Sequence, residues 1–387
     1  MHDTLSPRPR ILFVVTEDFY FCSHRMHLAR AFRDAGAEVH VAAAEKRHRG
    51  VIEAEGFVFH PVDFDRRGLN PLRETVTIRR LRDVMRAVVP DVVHLVALKP
   101  ILYGALAARL ARVPHVVAAV AGMGFVFLPG RGQRTVLRHI AKWWYRFFLR
   151  GRPGVRAIVQ NPDDRAYFVI RGMLNPSQIF VVPGSGVDTV RFAPVPPPPA
   201  PPVRILTHSR MLWDKGIGEL AEAARLLSEK GLEVEFLLAG EPDAKNPAAI
   251  PLETLREWDG KHGVRWIGRQ DDIPALLAGS HIACLPSYRE GLPLSLIEAA
   301  AAGLPLIAAD VPGCREICRH GENGYLHVVR DPASLAAAIE RLVCDPELRA
   351  RFGARSRELA EKIFSKEAVV SGTFAVYRGL LKGEWPA

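Results

Sequence analysis

The stretch 285-LPSYREGLPLSLIEAAAAGLPLIAAD-310 runs from the end of one apolar segment, through a loop that contains Gly291, into a helical pattern and on to a second apolar segment. Short apolar strands that alternate with helices are typical of parallel sheets covered by helices on both faces. The same alternation continues in both directions along the 387-residue chain. We therefore predict an α/β protein built from doubly wound, Rossmann-like parallel sheets.

The predicted strands fall into two groups, separated by a proline-rich segment, 195-VPPPPAPPV-203. The predicted strands cover 10–15, 38–43, 57–61, 91–96, 115–120, 157–160, 179–182, 203–208, 233–239, 264–267, 281–285 and 305–308. The domains that follow are a first domain over 1–194, a polyproline linker over 195–202, a second domain over 203–364 and a C-terminal helix over 365–387 that crosses back to the first domain. Two such sheets, facing each other across a cleft, would bind ligands at the carboxyl ends of their strands.

Positive charge is concentrated in the first half of the chain. Residues 1–194 contain 29 Lys and Arg against 16 Asp and Glu, a balance of +13, whereas residues 195–387 have a balance of −3. A basic half indicates an anionic partner, which could be nucleic acid, anionic lipid or a phosphorylated substrate.

A basic and aromatic helix is predicted over 131–156, where a cationic residue recurs every four positions. Like charges at that spacing repel each other, and an anionic surface would offset the repulsion. Trp and Tyr favour the membrane interface, so we expect this helix to contact an anionic membrane surface. The predicted contact residues are Arg134, Arg138, Lys142, Trp143, Trp144, Arg146 and Arg150. The alternative is an amphipathic helix whose apolar face belongs to the core.

Membrane-spanning and disulfide-rich classes do not fit the sequence. No apolar run reaches the ~18–20 residues that a membrane span needs. The five cysteines are scattered and form no zinc-binding pattern, so we expect reduced thiols and a cytosolic protein.

Charged residues that suit a phosphorylated sugar flank two predicted strand ends. Arg210 and Lys215 follow one strand, in 205-ILTHSRMLWDKG-216, and could bind a diphosphate. Glu290 and Glu298 follow another strand, and carboxylates there can accept hydrogen bonds from sugar hydroxyls. The start of the intervening helix can bind a phosphate through its backbone N–H groups.

Taken together, these residues resemble the GT-B glycosyltransferases of family 4, whose E-x7-E signature matches Glu290 to Glu298. The resemblance extends to 91-DVVHLVALKPILYGALAARL-110, 183-PGSGVDTVRF-192 and 312-PGCREICRHGENGYL-326. It implies a retaining transferase with no cofactor and no divalent metal. Its implied catalytic residues are Glu290, Lys215 and Arg210, and its implied donor-binding residues are Arg210, Lys215, Glu290, Gly291, Leu292, Pro293, Leu294, Glu298 and Arg269.

The implied roles are specific. Arg210 and Lys215 would bind the diphosphate of the nucleotide sugar, Glu290 the sugar hydroxyls and Glu298 the ribose, with the base near Arg269. For Arg210 and Lys215 alone, the alternative interpretation is a surface ion pair with Asp214 or Glu219. For Glu298 alone, it is a solvated helix face.

The acceptor side departs from the family pattern. The loop 16-TEDFYFCSHRM-26 has no glycine pair, and 118-AAVAGMG-124 has no histidine where many relatives have one. The candidates for the acceptor side are His24, Arg25 and His94, although an ordinary loop role for the first two and a core role for His94 remain open.

The segments 209-SRMLWDKG-216 and 285-LPSYREGLP-293 look most like those of bacterial members that extend polyprenyl-diphosphate-linked glycans. This resemblance implies a UDP-sugar donor, a lipid-linked acceptor and a peripheral position at the inner face of the cell membrane. Three alternatives remain: a UDP-sugar 2-epimerase-like enzyme, a noncatalytic nucleotide-sugar sensor, and a nucleic-acid-binding protein. No recognisable nucleic-acid-reading module supports the last.

Overall fold

A computed structural model describes residues 8–64, 71–121 and 133–381. The chain forms two compact units: unit 1 comprises residues 1–185 and 369–387, and unit 2 comprises residues 186–368.

Unit 1 contains a seven-stranded sheet in which every neighbouring pair of strands is parallel. Its strands are β1 (Arg10–Glu17), β2 (Glu38–Ala44), β3 (Val58–Pro61), β4 (Val92–Val96), β5 (His115–Ala119), β6 (Val155–Val159) and β7 (Ile179–Val181). Their order across the sheet is β3-β2-β1-β4-β5-β6-β7. The helices between them are α1 (Asp18–His24), α2 (Met26–Asp34), α3 (Arg49–Ala54), α4 (Pro71–Val88), α5 (Leu98–Ala111), α6 (Gln133–Phe148) and α7 (Pro162–Ile170).

Unit 2 contains a six-stranded sheet, again parallel throughout, in the order β10-β9-β8-β11-β12-β13. Its strands are β8 (Val203–His208), β9 (Val234–Ala239), β10 (Val264–Gly268), β11 (Ile282–Leu285), β12 (Leu306–Ala309) and β13 (Gly324–His327). Its helices are α8 (Ile217–Glu229), α9 (Leu252–Trp258), α10 (Ile273–Ala278), α11 (Leu294–Ala301), α12 (Pro312–Ile317), α13 (Pro332–Val343) and α14 (Pro346–Leu359). The last helix, α15 (Lys366–Arg378), follows a π-helical turn and enters unit 1 at Val369.

Alternate residues of the central strands are buried in opposite cores, which explains why these strands are apolar throughout. In β1, Leu12 and Val14 belong to one core, whereas Ile11 and Phe13 belong to the other. The same division occurs in β11 of unit 2. Both sheets are therefore covered on both faces, as the sequence predicts.

The proline-rich segment does not separate the two units, contrary to the sequence-based division at residue 194. The chain already belongs to unit 2 at Val187, whose backbone N–H donates to the Phe364 carbonyl at 2.8 Å. Phe192 is buried in a unit 2 core. The Pro198 carbonyl then lies 3.0 Å from His281 Nε2, so the prolines run along unit 2.

One further expectation is corrected. The segment 16-TEDFYFCSHRM-26, expected to be a loop, contains helix α1 because Phe21 packs into the core beside Phe13, at 5.7 Å between ring centroids. Helix α11 begins at Leu294, and the extended Pro293 is its N-cap.

Candidate active site in unit 2

The loop after β8 is held against the end of β11 by a close backbone approach at Gly216. This glycine has a φ of 72°, and a Cβ atom there would lie 2.2 Å from the Pro286 carbonyl oxygen. Any larger residue would force the two loops apart. The Tyr288 backbone N–H also donates to the Asp214 carbonyl at 2.9 Å. These contacts place Lys215 beside the loop that carries Glu290.

Lys215 and Glu290 form an ion pair that is largely shielded from solvent. The ammonium group donates to Glu290 Oε1, and the two side chains are 19% and 13% exposed. The Ser287 hydroxyl donates to the same carboxylate oxygen at 2.7 Å. The alternative partners for Lys215, Asp214 and Glu219, do not form an ion pair with it. The pair therefore brings together two of the three residues assigned to catalysis by resemblance.

Glu298 lies in the second turn of α11 and is paired with a histidine that the sequence analysis did not single out. Its Oε2 is 3.0 Å from His208 Nε2, and both side chains are mostly buried. His208 is the last residue of β8. Its position at the carboxyl end of a crevice strand, two residues before Arg210, is the signal that could have identified it. A solvated helix face for Glu298 is ruled out by this burial.

Arg210 lines an open pocket of about 400 Å³ at the carboxyl ends of β8 and β9. Its side chain is 59% exposed and donates to Asp243 Oδ2 at 3.2 Å. His208 and Arg269 line the same pocket. Arg269 is paired with Asp271 at 3.1 Å and extends into solvent. The pocket is thus lined by residues that follow three strands, β8, β9 and β10.

The floor of this pocket depends on Gly240, which has a φ of 143°. A Cβ atom at this position would lie 1.8 Å from the Ser209 carbonyl oxygen. Gly313 has a similar role beside the other loop, since its Cβ would lie 2.4 Å from the Gly291 carbonyl oxygen. Backbone therefore approaches backbone both at this pocket and beside the loop that carries Glu290.

The acceptor-side candidates all lie in unit 1, but only two of them share a pocket. Arg25 and His94 line a small pocket with Gln160 and Gly184, and His24 is not among its lining residues. His24 stacks on the Tyr20 ring at 4.4 Å between centroids.

Helix α6 presents some of the predicted membrane-contact residues to solvent and turns others inward. Trp143 and Phe147 are 54% and 52% exposed, and their rings stack at 5.1 Å. Trp144 instead donates from its indole N–H to the Leu102 carbonyl at 2.6 Å. The Arg134 side chain lies outside the described residues.

The two C-terminal cations of this stripe make hydrogen bonds within unit 1. Arg146 donates to the Arg171 carbonyl at 2.6 Å, and Arg150 donates to Asn175 Oδ1 at 3.1 Å. Partial burial, with the positive charges of Arg171 and Arg138 nearby, lowers the pKa of Lys142. The other two cations of the stripe in the described helix, Arg138 and Lys142, are half-buried.

The five cysteines are all unpaired, and Cys284, Cys314 and Cys318 are buried. Burial raises the pKa of each of these three thiols. Among residues 8–64, 71–121 and 133–381, no three His, Cys, Asp or Glu side chains are grouped as a metal site would require. Within those same ranges, no helix combines the length and the apolar character needed to span a bilayer.

Comparison with known proteins identifies relatives for both units. The family model for "Glycosyl transferase 4-like" proteins matches residues 10–150, and the model for "Glycosyl transferases group 1" matches residues 192–359. The chain is 31% identical over 386 residues to the putative glycosyltransferase EpsD of Bacillus subtilis, covering 95% of this chain and 96% of that protein.

A second relative has a defined reaction in its name. The chain is 27% identical over 294 residues to the UDP-Gal:alpha-D-GlcNAc-diphosphoundecaprenol alpha-1,3-galactosyltransferase of Escherichia coli, covering 73% of this chain and 74% of that protein. Among solved structures, a glycosyltransferase from Rickettsia africae superposes with a TM-score of 0.79 at 16% identity, covering 98% of this chain and all of that one. This likeness bears on the fold alone.

Proposed function

The chain belongs to the family 4 glycosyltransferases of the GT-B fold, and from that premise we propose that it transfers a sugar from a UDP-sugar to a glycan carried on a polyprenyl diphosphate, with retention of anomeric configuration. The observation that carries this proposal is the pairing of Lys215 with Glu290 and of His208 with Glu298 around the strand ends of unit 2. The E. coli relative, which is named for a UDP-Gal donor and a diphosphoundecaprenol-linked acceptor, supports the substrate class.

In this proposal, unit 2 binds the donor. Arg210 and Lys215 bind the diphosphate, which competes with Asp243 and Glu290 for the two cations. Arg210 is mostly exposed and can reorient at little cost in packing, whereas Lys215 is held close to its present position. Glu290 accepts hydrogen bonds from the sugar hydroxyls, and Glu298, oriented by His208, accepts them from the ribose. Arg269 lies at the base end of the pocket.

The chemical step needs no protein nucleophile. The acceptor hydroxyl forms its bond to the anomeric carbon as the bond from that carbon to the diphosphate oxygen breaks. The electron pair of the broken bond goes to the diphosphate, which takes up the acceptor proton on the same face of the sugar. Negative charge develops on the leaving diphosphate, where Lys215 and Arg210 stabilise it. Each such preorganised positive group contributes about 3–4 kcal/mol to lowering the barrier.

The same chemistry requires no divalent metal, because two protein cations and the N–H groups at the start of α11 can balance the charge of the diphosphate. Gly291, Leu292, Pro293 and Leu294 form the loop that leads into this helix start. Their backbone is the part of unit 2 that we assign to the sugar and the phosphate.

Transfer is tested by incubating the purified protein with a panel of UDP-sugars and an N-acetylglucosaminyl polyprenyl diphosphate, with separation of the lipid products. The proposal expects a product one sugar longer that forms only when both substrates are present. Conversion of a UDP-sugar to its epimer without an acceptor would favour the epimerase alternative and contradict the proposal.

Helix α6 is proposed as a peripheral contact with the anionic inner face of the cell membrane. Its exposed Trp143 and Phe147 can enter the interface, while Arg138 and Lys142 contribute about 1 kcal/mol each near anionic head groups. In a flotation assay, the protein should bind phosphatidylglycerol liposomes at low salt, and a Trp143→Ala/Phe147→Ala variant should bind more weakly. The control is Val51→Ala, an exposed apolar residue on α3. Failure of the wild-type protein to float at low salt would contradict the membrane contact.

A further inference from the structure

Arg25, in the junction between α1 and α2, is buried without a partner for its charge. Arg25 is only 6% exposed, and its Nε atom has no hydrogen-bond partner. Within the described ranges of the chain, no ion pair or hydrogen bond of its guanidinium group is present. Arginine is almost never fully buried unless it is paired, because a desolvated, uncompensated charge costs several kcal/mol. An unpaired, largely buried guanidinium therefore marks a candidate anion-binding site.

The pocket around Arg25 lies where ligands of open parallel sheets bind. It is lined by residues that directly follow three strands: Val120 after β5, Gln160 after β6 and Val182 after β7. Open α/β sheets bind their ligands at this carboxyl edge. The enclosed space holds little more than one water-sized group, so it suits a single oxygen atom of a larger ligand.

In the same pocket, His94 supplies a second polar atom without a partner, its Nε2. Its Nδ1 lies 2.8 Å from the Tyr377 hydroxyl, and its Nε2 is buried with no partner. Burial raises the pKa of Tyr377, so the phenol keeps its proton and can donate it to Nδ1. Burial, together with the nearby charge of Arg25, lowers the pKa of His94, which is therefore neutral. In that tautomer the proton of the imidazole is on Nε2, where it can be donated to an anion.

We propose that Arg25 and His94 form an oxyanion subsite in unit 1 that binds one oxygen atom of a phosphoryl group on a phosphorylated acceptor. The guanidinium supplies the charge, and the imidazole Nε2–H supplies a second hydrogen bond. Gln160 lines the same pocket. The identity of the anion as part of the acceptor rests on the proposed function, whereas the existence of the anion site does not.

The subsite is tested in an Arg210→Ala/Lys215→Ala background, so that the donor-side cations of unit 2 make no contribution. Thermal unfolding is followed while sodium phosphate or geranyl diphosphate is titrated against sodium chloride of equal ionic strength. We expect both probes to raise the melting temperature. Adding Arg25→Met should weaken both responses about tenfold or more in concentration, since a hydrogen-bonded charge is lost. Arg79→Met, at an exposed arginine on α4, is the matched control and should leave them unchanged.

The variants also separate binding from a structural role. If the buried charge awaits an anion, Arg25→Met should unfold at the same or a higher temperature than its parent when no phosphate is present. Arg25→Lys should retain a weaker response, because a point charge replaces the planar fork. A phosphate response that survives Arg25→Met would overturn the subsite. A response to phosphate but none to geranyl diphosphate would overturn its assignment to the acceptor.

This experiment and the test of the proposed function can fail separately. Absence of sugar transfer would contradict the function while leaving the phosphate response in place. Transfer together with an Arg25-independent phosphate response would leave the function in place and contradict the subsite.

Discussion

The cations of unit 2 and the buried arginine of unit 1 differ in whether a carboxylate already neutralises them. Lys215 is paired with Glu290, and Arg210 with Asp243, whereas Arg25 has no such partner among the described residues. A donor diphosphate must therefore compete with carboxylates in unit 2, and the folded unit is organised without it. In unit 1 a bound anion would offset the desolvation of the Arg25 guanidinium. The two units therefore differ in how their cations are neutralised. Carboxylates neutralise the cations of unit 2, whereas no carboxylate among the described residues neutralises Arg25 in unit 1.

The largest effect is expected from Lys215→Ala, which removes the cation of the Lys215–Glu290 pair in unit 2. Turnover should fall about 10²–10³-fold, because the leaving diphosphate loses a preorganised cation. Glu290 is then left mostly buried without its cation, so the free energy of unfolding should fall by about 1–3 kcal/mol. Steady-state kinetics and thermal unfolding measure the two effects.

The matched control for that variant is Lys261→Ala, at an exposed lysine of unit 2 that is paired with Glu257 at 3.5 Å. It should change neither quantity by a measurable amount. A near-normal turnover for Lys215→Ala would remove Lys215 from the diphosphate site.

A smaller effect is expected from His208→Ala. This variant tests whether His208 positions the Glu298 carboxylate in unit 2. The loss of one hydrogen bond to Glu298 should raise the KM for the UDP-sugar about tenfold while kcat changes little. His208→Gln, which can still donate a hydrogen bond, should restore part of the affinity. An unchanged KM in His208→Ala would show that Glu298 needs no orientation by His208.

The smallest effect concerns His24, next to Arg25 in unit 1. Burial, with the charge of Arg25 nearby, lowers the pKa of His24 to about 4, from an ordinary value of 6.5. The unfolded chain therefore takes up a proton at His24 before the folded chain does, and stability should be lost as the pH falls from 6.5 towards 4. Urea unfolding of the wild type and of His24→Gln should show a steeper loss in the wild type across that range. Parallel pH profiles would contradict the neutral, partly buried state of His24.

Much of the fold follows from the sequence because its strands are apolar throughout and are separated by helices. Twelve of the thirteen strands overlap predicted ranges. The sequence marks buried apolar runs such as Ile11–Val15 and Ile282–Leu285 directly. Strand β13, 324-GYLH-327, is short and partly polar, and it was not predicted. Helix α1 was missed because its aromatic residues were interpreted as a loop, although Phe21 is fully buried.

The donor region of unit 2 was more accessible to sequence analysis than the pocket of unit 1 for a topological reason. Lys215 and Glu290 each stand in a compact motif that directly follows a strand. Arg25, His94 and Gln160 come from three distant parts of the chain and share a pocket only because the strand order β1-β4-β5-β6 places their segments side by side. Arg25 and His94 were candidates from position alone. That the Arg25 guanidinium and the Nε2 atom of His94 have no partner could be found only in three dimensions.

The most direct test is the binding of UDP. It shows whether unit 2 binds the diphosphate of a nucleotide sugar through Arg210 and Lys215. Isothermal titration of UDP into the wild type and into Arg210→Ala/Lys215→Ala compares the two proteins under identical conditions. We predict binding to the wild type and an affinity reduced about a hundredfold or more in the double variant, since two charge-assisted interactions are lost. Equal affinities of the two proteins for UDP would contradict the binding of the diphosphate by Arg210 and Lys215.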